Sequence, residues 1–590
     1  MSAGSKILDV GAKVALASAV LACIAYWSYR GISWYYALRP GIDMDGLVVS
    51  AFDYLQSGNL VLMLHSLAGF GVLYLFYPVL YLTRYIPSVY ILQAVFVAAP
   101  AVPLYALARK NLGPVVSLAI GLAYLVYPGV QGMALDGVHY EPFFLLPFVS
   151  GVCLYSYGKK RLALVALVFS EVVRLQFIVF GAAFGAYLLI AALRDPERRS
   201  ELRMGLVLVG VAFAVFCGWI LTGPTLTNPI LTTPAQATTG IEYFLDQINT
   251  PSNVLTTLFF VFLPVGFIAL LSKTWLPCFV PFLLLTALDS AENFGYPLLF
   301  QTQYPSAFVA FLFLGLVEGA VVLKRLGPRV RLDGWRISAL VVGALVLSTV
   351  AVSPAFASPL AIQSAPKPDG PSPCTVPPNQ VARLVAMIPP GSKVVELALN
   401  PEVYASRNVV SVYHSELLHS FPSDANVVFL NPYENSYVFD NGSWVYSQAL
   451  ALGFKPVADV SGMILMEKGY QGSETYGPYS TVCKGALLHS GSPSTYQSPL
   501  EPLTLSSSSY SIHLAPVDNF TGSATLQLWG DQGTGAKTLL GNYSLPNQSD
   551  GALSLNVTLS NFYRVNFDVA VENFTGLVSF NTFTVDQVAP

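Results

Sequence analysis

Charge is what this sequence has least of. Only 11% of its 590 residues are Asp, Glu, Lys or Arg, against about a quarter in an ordinary soluble protein. A chain so poor in charge cannot present water with an ordinary surface over most of its length, so a fully soluble protein is excluded. The formal net charge is -3, and no basic stripe interleaved with aromatics occurs. That excludes nucleic acid as a partner. Cysteine is also scarce. Four of the six, Cys23, Cys153, Cys217 and Cys278, sit inside apolar runs, where a thiol behaves as a small hydrophobe. Only Cys374 and Cys483 lie in polar sequence. They are too few for a metal framework but enough for one disulfide in an exported segment, with two free thiols the alternative. The chain carries no Walker loop, strand-helix GxGxxG unit, HExxH, nucleophile elbow or paired CxxC in a meaningful context. Their absence argues against an ATP-driven pump and a soluble-type hydrolase. There is no clear inverted repeat, which weakens a carrier reading.

What is abundant is apolar sequence: 54% of residues are hydrophobic and the mean hydropathy is +0.57. Runs long enough to cross a bilayer fall near 14–29, 88–108, 113–130, 142–157, 204–222, 254–272, 275–289, 304–323 and 337–356. The stretch 162–193 is flanked by Lys159, Lys160 and Arg161 on one side and by Arg194, Arg198, Arg199 and Arg203 on the other. The positive-inside rule puts both flanks in the cytoplasm, so the stretch reads as two short helices meeting near Arg174-Leu175-Gln176. The expected total is about eleven crossings. The segment 60–82 is read as interfacial or re-entrant, because a crossing there would invert every later loop; Tyr74, Tyr77, Tyr81 and Tyr85 suit the headgroup layer. Arg109-Lys110, Lys273 and the cluster from Lys324 to Arg336 then face inside. The loops 131–141, 223–253 and 289–303, free of Lys and Arg, face outside. Residues 14–29 lack a small-residue cleavage site and read as a signal anchor with the N-terminus in the cytoplasm.

The expected fold is thus a polytopic α-helical membrane bundle over residues 1–356, in the cell membrane and in contact with its lipids. A Pro- and Ser-rich linker follows at 357–380. Residues 381–496 read as an extracytoplasmic α/β domain, with VARLVAMI as a helix and KVVELAL, VVSVYH and NVVFLNP as strands. Residues 497–590 read as a β-sandwich-like domain built of short alternating stretches such as ATLQLWG and YRVNFDVAV. Six Asn-x-Ser/Thr sequons, at Asn441, Asn519, Asn542, Asn547, Asn556 and Asn573, all lie beyond the last apolar run. They are candidate glycosylation sites and agree with an outer C-terminal region.

Four polar groups interrupt the apolar pattern where chemistry could sit. Asp43 and Asp45 open the first outer loop. A carboxylate there can act as general base on an acceptor hydroxyl or hold a divalent cation between substrate phosphates; solvated turn acids are the plainer alternative. In the short loop Asp136-Gly137-Val138-His139-Tyr140-Glu141, His139 and Glu141 can bind a metal or a sugar, or cap the next helix. Glu171, Arg174 and Gln176 sit in the break of the 162–193 hairpin. Ionisable groups within apolar runs tend to line cavities, and a guanidinium suits a lipid-linked phosphate. A Glu171–Arg174 pair with a packing role is the alternative. Gln301, Thr302, Gln303 and Tyr304 form the fourth group; alone, Tyr304 would be an ordinary belt residue.

These elements occur in an order that resembles a family. IDMDGLVVSAFDYL is followed by His65, by ILQ with Gln93, by PLYALARK with Pro103 and Tyr105, and by YLVYPGVQ with Pro128. DGVHYEPF, the broken hairpin, QYPSAFVAFLFLG and IPPGSKVVELALNPEVYASRNVVSVY complete it. Over roughly residues 12–468 the chain resembles the prokaryotic membrane proteins grouped as domain of unknown function 2079. Those proteins look like distant members of the GT-C superfamily of polyprenyl-phosphate-sugar-dependent glycosyltransferases. The resemblance implies an outer first loop whose acid, here Asp43 or Asp45, is the base, with a lipid-phosphate-sugar donor near the membrane surface. His139 and Glu141 match the family's loop His and acid, while Leu175 and Gln303 stand where the pattern has an acid and a His. The expectation is sugar transfer from a polyprenyl-phosphate donor to a lipid or protein acceptor. A second reading is a non-catalytic scaffold presenting its outer domains to a glycan or surface protein; a third is a lipid or solute carrier.

Overall fold

The computed structural model describes residues 3–36, 60–83, 85–222, 251–275, 300, 305–353, 360–362, 374–375, 379–397, 403, 406, 409–414, 420–430, 442–460, 463–472, 475–476, 480–484, 487–489, 495–497, 503–505, 509–516, 520–531, 537–544, 553–559 and 563–588. The chain divides into two compact units: residues 1–32 with 50–366, and residues 33–49 with 367–590.

The first unit is helical. Its helices are α1 (Ala3–Tyr36), α2 (Leu60–Phe70), α3 (Leu73–Thr83), α4 (Ser88–Ala98), α5 (Ala101–Arg109), α6 (Pro114–Val126), α7 (Pro128–Leu135), α8 (Leu145–Ser156), α9 (Lys160–Val172), α10 (Ile178–Arg194), α11 (Ser200–Thr222), α12 (Pro251–Phe262), α13 (Pro305–Leu326) and α14 (Gly334–Val352). Among the described residues five stretches are long and apolar enough to cross a membrane: Lys6–Ser33, Ser88–Arg109, Leu175–Arg194, Glu201–Thr222 and Gly334–Val352. The pair α6 and α7, bent by 44° at Tyr127-Pro128, makes a sixth if it counts as one span. Eleven continuous crossings are therefore not what the described helices display, because proline and glycine cut the apolar sequence into shorter rods. A rod of 11 residues rises about 16 Å, half the roughly 30 Å of a hydrocarbon core. Both α2 and α3, separated at Gly71-Val72, are of that length.

Over residues 308–314 helix α13 is apolar around its whole circumference and runs through the middle of this unit. Phe308, Val309, Ala310, Phe311, Leu312, Phe313 and Leu314 are all buried, as expected for a helix with no aqueous face. Phe311 meets Phe148 and Phe180 with ring centroids 5.2 and 4.8 Å apart. On the other side Phe313 meets Tyr124 and Tyr127. Gly319 lets the backbone of Ile268 approach so closely that any side chain there would strike its carbonyl. α1 turns Ile7, Leu8, Val10, Val14 and Leu21 outward, a surface only lipid would solvate favourably.

The basic clusters gather at one end. Asp9 of α1 pairs with Lys13 and with Arg109, each at 2.7 Å. Lys324 donates to the Asn111 carbonyl at 2.6 Å, and Lys110 donates to that of Ser156. Glu201 pairs with Arg198 at 2.8 Å and with Lys160 at 3.9 Å. The loop after α7, the start of α8 and the α9–α10 break are the opposite ends of the same helices.

The second unit contains two sheets. The first has six strands in the order β3-β2-β4-β6-β5-β7, made of β2 (Ser392–Leu397), β3 (Val409–His414), β4 (Val427–Leu430), β5 (Phe454–Val460), β6 (Met463–Lys468) and β7 (Thr475–Tyr476), numbered after β1 (Cys374–Thr375). β2 runs parallel to both β3 and β4, and β6 closes antiparallel on β4. Helices Asn379–Ala386 and Gly442–Ala451 accompany it. Val428, Leu430, Val445, Phe454, Ile464 and Met466 form its core. The second sheet is built on a strand of 26 residues, Tyr563–Val588. Its first half pairs with Phe520–Asp531 and its second half with Ser509–Pro516 and with β8 (Ser480–Lys484). β8 pairs in turn with β1, so that Cys374 stands directly opposite Cys483.

Candidate functional site

The polar residues of the first unit meet where three chain breaks come together: the loop 136–140, the α9–α10 break and the α2–α3 break. Gln93 of α4, buried in an otherwise apolar helix, holds the loop. Its amide nitrogen donates to the Met133 carbonyl at 3.0 Å and to that of Gly137, and its amide oxygen accepts from the His139 N–H at 2.9 Å. Gly137 has φ of 111°, a conformation open to glycine and strained for other residues. The sharp turn buries Val138 and His139 and delivers Glu141 to the short 3-10 turn Glu141–Phe144. His139 Nε2 lies 3.2 Å from the Asp136 carboxylate.

At the α9–α10 break Arg174 takes an extended backbone, φ -152° and ψ 145°, before the turn Leu175–Phe177 starts the next helix. Its guanidinium forms an ion pair with Glu141, which is 2% exposed. The Arg174 side chain keeps 24% of its surface open and lies over the Tyr140 ring, 5.7 Å from the centroid. Tyr140 packs on Phe70 at 5.1 Å, and Phe70 meets Trp219 edge-on. The α2–α3 break closes the third side: the Val72 N–H donates to the Val173 carbonyl at 3.3 Å. Beneath, Phe144 stacks on Phe177 at 4.3 Å, and Phe143 meets Phe76 and Phe96. This aromatic floor keeps water from the buried side of the ion pair, where charge interactions are stronger than in water.

Of the residues singled out from sequence, His139, Glu141, Arg174 and Gln176 thus lie in one loop and one helix break joined by an ion pair. Gln176 is half-buried in the turn after Arg174. Arg174 pairs with Glu141 rather than with Glu171, because the extended residue turns its side chain off the α9 face that carries Glu171. Asp43, Asp45 and Tyr304 lie outside the described residues, as do Asn441, Asn519 and Asn547. Asn542 and Asn556 are exposed on strands, and Asn573 lies within the long strand. Sequence reasoning passed over Gln93, Tyr140, Phe70 and Trp219 as site residues. For Gln93 a signal existed, since an amide inside ILQAVFVAA must find buried partners. Among the described residues no three His, Cys, Asp or Glu side chains gather as a metal site.

The arrangement offers a guanidinium in a fixed orientation, flanked by aromatic rings and a histidine-carboxylate pair. A guanidinium has five N–H donors in a planar fork suited to phosphate or carboxylate. No curated protein and no solved structure matches the chain. A family model does, over residues 65–465, described as a predicted membrane protein (DUF2079). That match runs from α2 through the membrane helices to β6 and covers more than half of the chain, so the protein belongs to the DUF2079 family of predicted membrane proteins.

Proposed function

We propose that this protein is a membrane glycosyltransferase of GT-C type, moving a sugar from a polyprenyl-phosphate donor to a lipid or protein acceptor on the outer membrane face. The observation that carries the reading is the Arg174–Glu141 ion pair seated on Tyr140 where the helix breaks meet. It supplies a fixed cation at the end of the bundle opposite the basic clusters. Arg174 would hold the donor phosphate, and His139, Gln176 and Tyr304 would take sugar hydroxyls. Asp43 or Asp45 would accept the acceptor hydroxyl's proton as its oxygen bonds to the anomeric carbon. The bond from that carbon to the phosphate oxygen breaks in the same step. Its electron pair leaves on the polyprenyl phosphate, and the configuration inverts.

The finer architecture belongs to the same proposal. About eleven crossings over 1–356 would count the short rods as separate passes, with the basic end and N-terminus in the cytoplasm of a cell membrane. The linker 357–380, the α/β domain 381–496 and the β-sandwich-like domain 497–590 would stand outside. A Cys374–Cys483 disulfide there is supported by the register of β1 against β8, and glycans would sit on the sequon asparagines.

A scaffold that presents its outer domains to a glycan or surface protein is the second reading. It is favoured by Glu141 neutralising Arg174 and by the apolar Leu175 beside it. Transfer from a labelled polyprenyl-phosphate sugar, measured in membranes holding the full chain, separates the two. Removing a general base costs about 100-fold or more, so the Asp43→Asn, Asp45→Asn double variant should lose transfer to that extent while inserting normally. Undiminished transfer in the double variant overturns the base assignment, and no transfer by the unaltered chain leaves the scaffold.

A further inference from the structure

Glu171 lies in the last turn of α9, directly before the break, and the site described above makes no use of it. Its side chain is fully buried, at 0% exposure, and neither carboxyl oxygen has a hydrogen-bond partner among the described residues. The cation nearest in sequence, Arg174 at i+3, is committed to Glu141. Opposite Glu171 stands Gly181 of α10, where the Cβ of any other residue would fall on the Glu171 carboxyl. The glycine leaves the space that the acid fills.

α9 packs against α2, α8, α10, α11 and the turns at 141–144 and 175–177. At this end those elements bring Glu141 and Arg174, which bind each other. Tyr155, Tyr187 and Glu201 belong to the opposite end, where they gather on Arg198, and Lys160 joins Glu201 there. Arg194 and Arg203 flank that same end in sequence. Cys153 of α8 and Cys217 of α11 are thiols, and α2 contributes His65. An ionised carboxylate without a partner in such surroundings costs several kcal/mol, whereas the neutral acid does not.

We propose that Glu171 is a proton-binding site: the closed α9–α10 hairpin holds its carboxyl protonated, and the proton leaves only when the hairpin parts beside the Arg174 break. The O–H bond then breaks, its electron pair stays on the carboxylate and the proton passes to water. The carboxylate left behind stands three residues before Arg174 in the chain and, once the hairpin parts, competes with Glu141 for it. Proton release and the state of the Glu141–Arg174 pair are thereby linked. This inference stands apart from the transferase reading, since a scaffold would carry the same proton.

Two measurements on the full chain in lipid vesicles test it. Dicyclohexylcarbodiimide, a lipid-soluble reagent, takes the acid's proton on nitrogen and bonds the carboxyl oxygen to its central carbon. Acyl migration then leaves the whole reagent attached. The peptide holding Glu171 should carry that added mass at about pH 7 and lose most of the labelling by about pH 9, where the hairpin sheds its proton. Glu171→Gln, neutral and of the same shape, should fold with a melting midpoint at or above that of the unaltered chain at about pH 6 and remain level to about pH 9, whereas the unaltered chain loses stability over that range. An unlabelled Glu171 at about pH 6 overturns the proposal, as does a Glu171→Gln midpoint that follows the unaltered chain across the range.

Discussion

Gln93 shows at the residue scale how one polar side chain organises this site. It sits in an apolar helix because its amide satisfies the Met133 carbonyl near the end of α7 and two backbone groups of the loop that follows, which has no regular structure of its own. A leucine in its place fills similar volume and leaves the His139 N–H and two carbonyls unanswered. Unmet buried hydrogen-bonding groups cost about 1–3 kcal/mol each, so Gln93→Leu should lower the melting midpoint in detergent and loosen the loop, measured as faster amide exchange at His139 and Tyr140. A variant with both unchanged would remove Gln93 from the account. Residue identity was legible in the sequence wherever an ionisable group broke an apolar run, as at Glu141 and Arg174. Their mutual pairing was not, because 33 residues and the two helices α8 and α9 separate them and only the fold brings them together.

At the scale of elements, breaks matter more than helices. The sequence announces the α9–α10 break through its charged flanks and its length, which cannot be one crossing under the positive-inside rule. It also announces the α2–α3 segment as something other than a plain span. It does not disclose that the two breaks dock, because that depends on a single backbone hydrogen bond from Val72 to Val173 and on the absence of a side chain at Gly71. The strands of the second unit were more legible. β4 is fully buried and reads as the uninterrupted apolar run VVFL. In the turn before β4, Asp424 receives hydrogen bonds from Lys393 of β2 at 2.7 Å and from Tyr413 of β3. The Lys393 bond first, then that of Tyr413, holds the Asp424 carboxyl below the usual aspartate range. The folded state therefore binds this proton less readily than the unfolded chain. Its contribution is present above the ordinary aspartate range and fades as the pH falls through the lowered folded value. Asp424→Asn should lower the melting midpoint slightly at neutral pH and leave it unchanged in strong acid. Because the group is exposed, the effect is small; an equal loss at both pH values would contradict this origin.

For the whole molecule, the division into an apolar helical unit and a polar, sheet-containing unit follows from composition alone, since charged residues and turn formers resume where the apolar runs end. The gathering of basic residues at one end of the bundle was legible as well, from their spacing between apolar stretches. The number of continuous crossings was not. Proline and glycine cut apolar sequence into rods whose joining angles depend on tertiary packing, as at the 44° bend between α6 and α7. The sheet assignment of the short strands near 480–497 was similarly hidden, because each is completed by the distant strand Tyr563–Val588.

The central claim is that the end of the bundle holding Arg174 receives a lipid-linked phosphate. Its most direct test is equilibrium binding of a polyprenyl-phosphate sugar to the purified full chain in lipid nanodiscs, comparing the unaltered protein with Arg174→Gln. A charge-assisted contact to a phosphate is worth about 1.5–3 kcal/mol, roughly a tenfold change in affinity or more. The account predicts saturable binding that weakens by at least that factor in the variant. Binding of equal strength in both proteins, or no saturable binding in either, would contradict it.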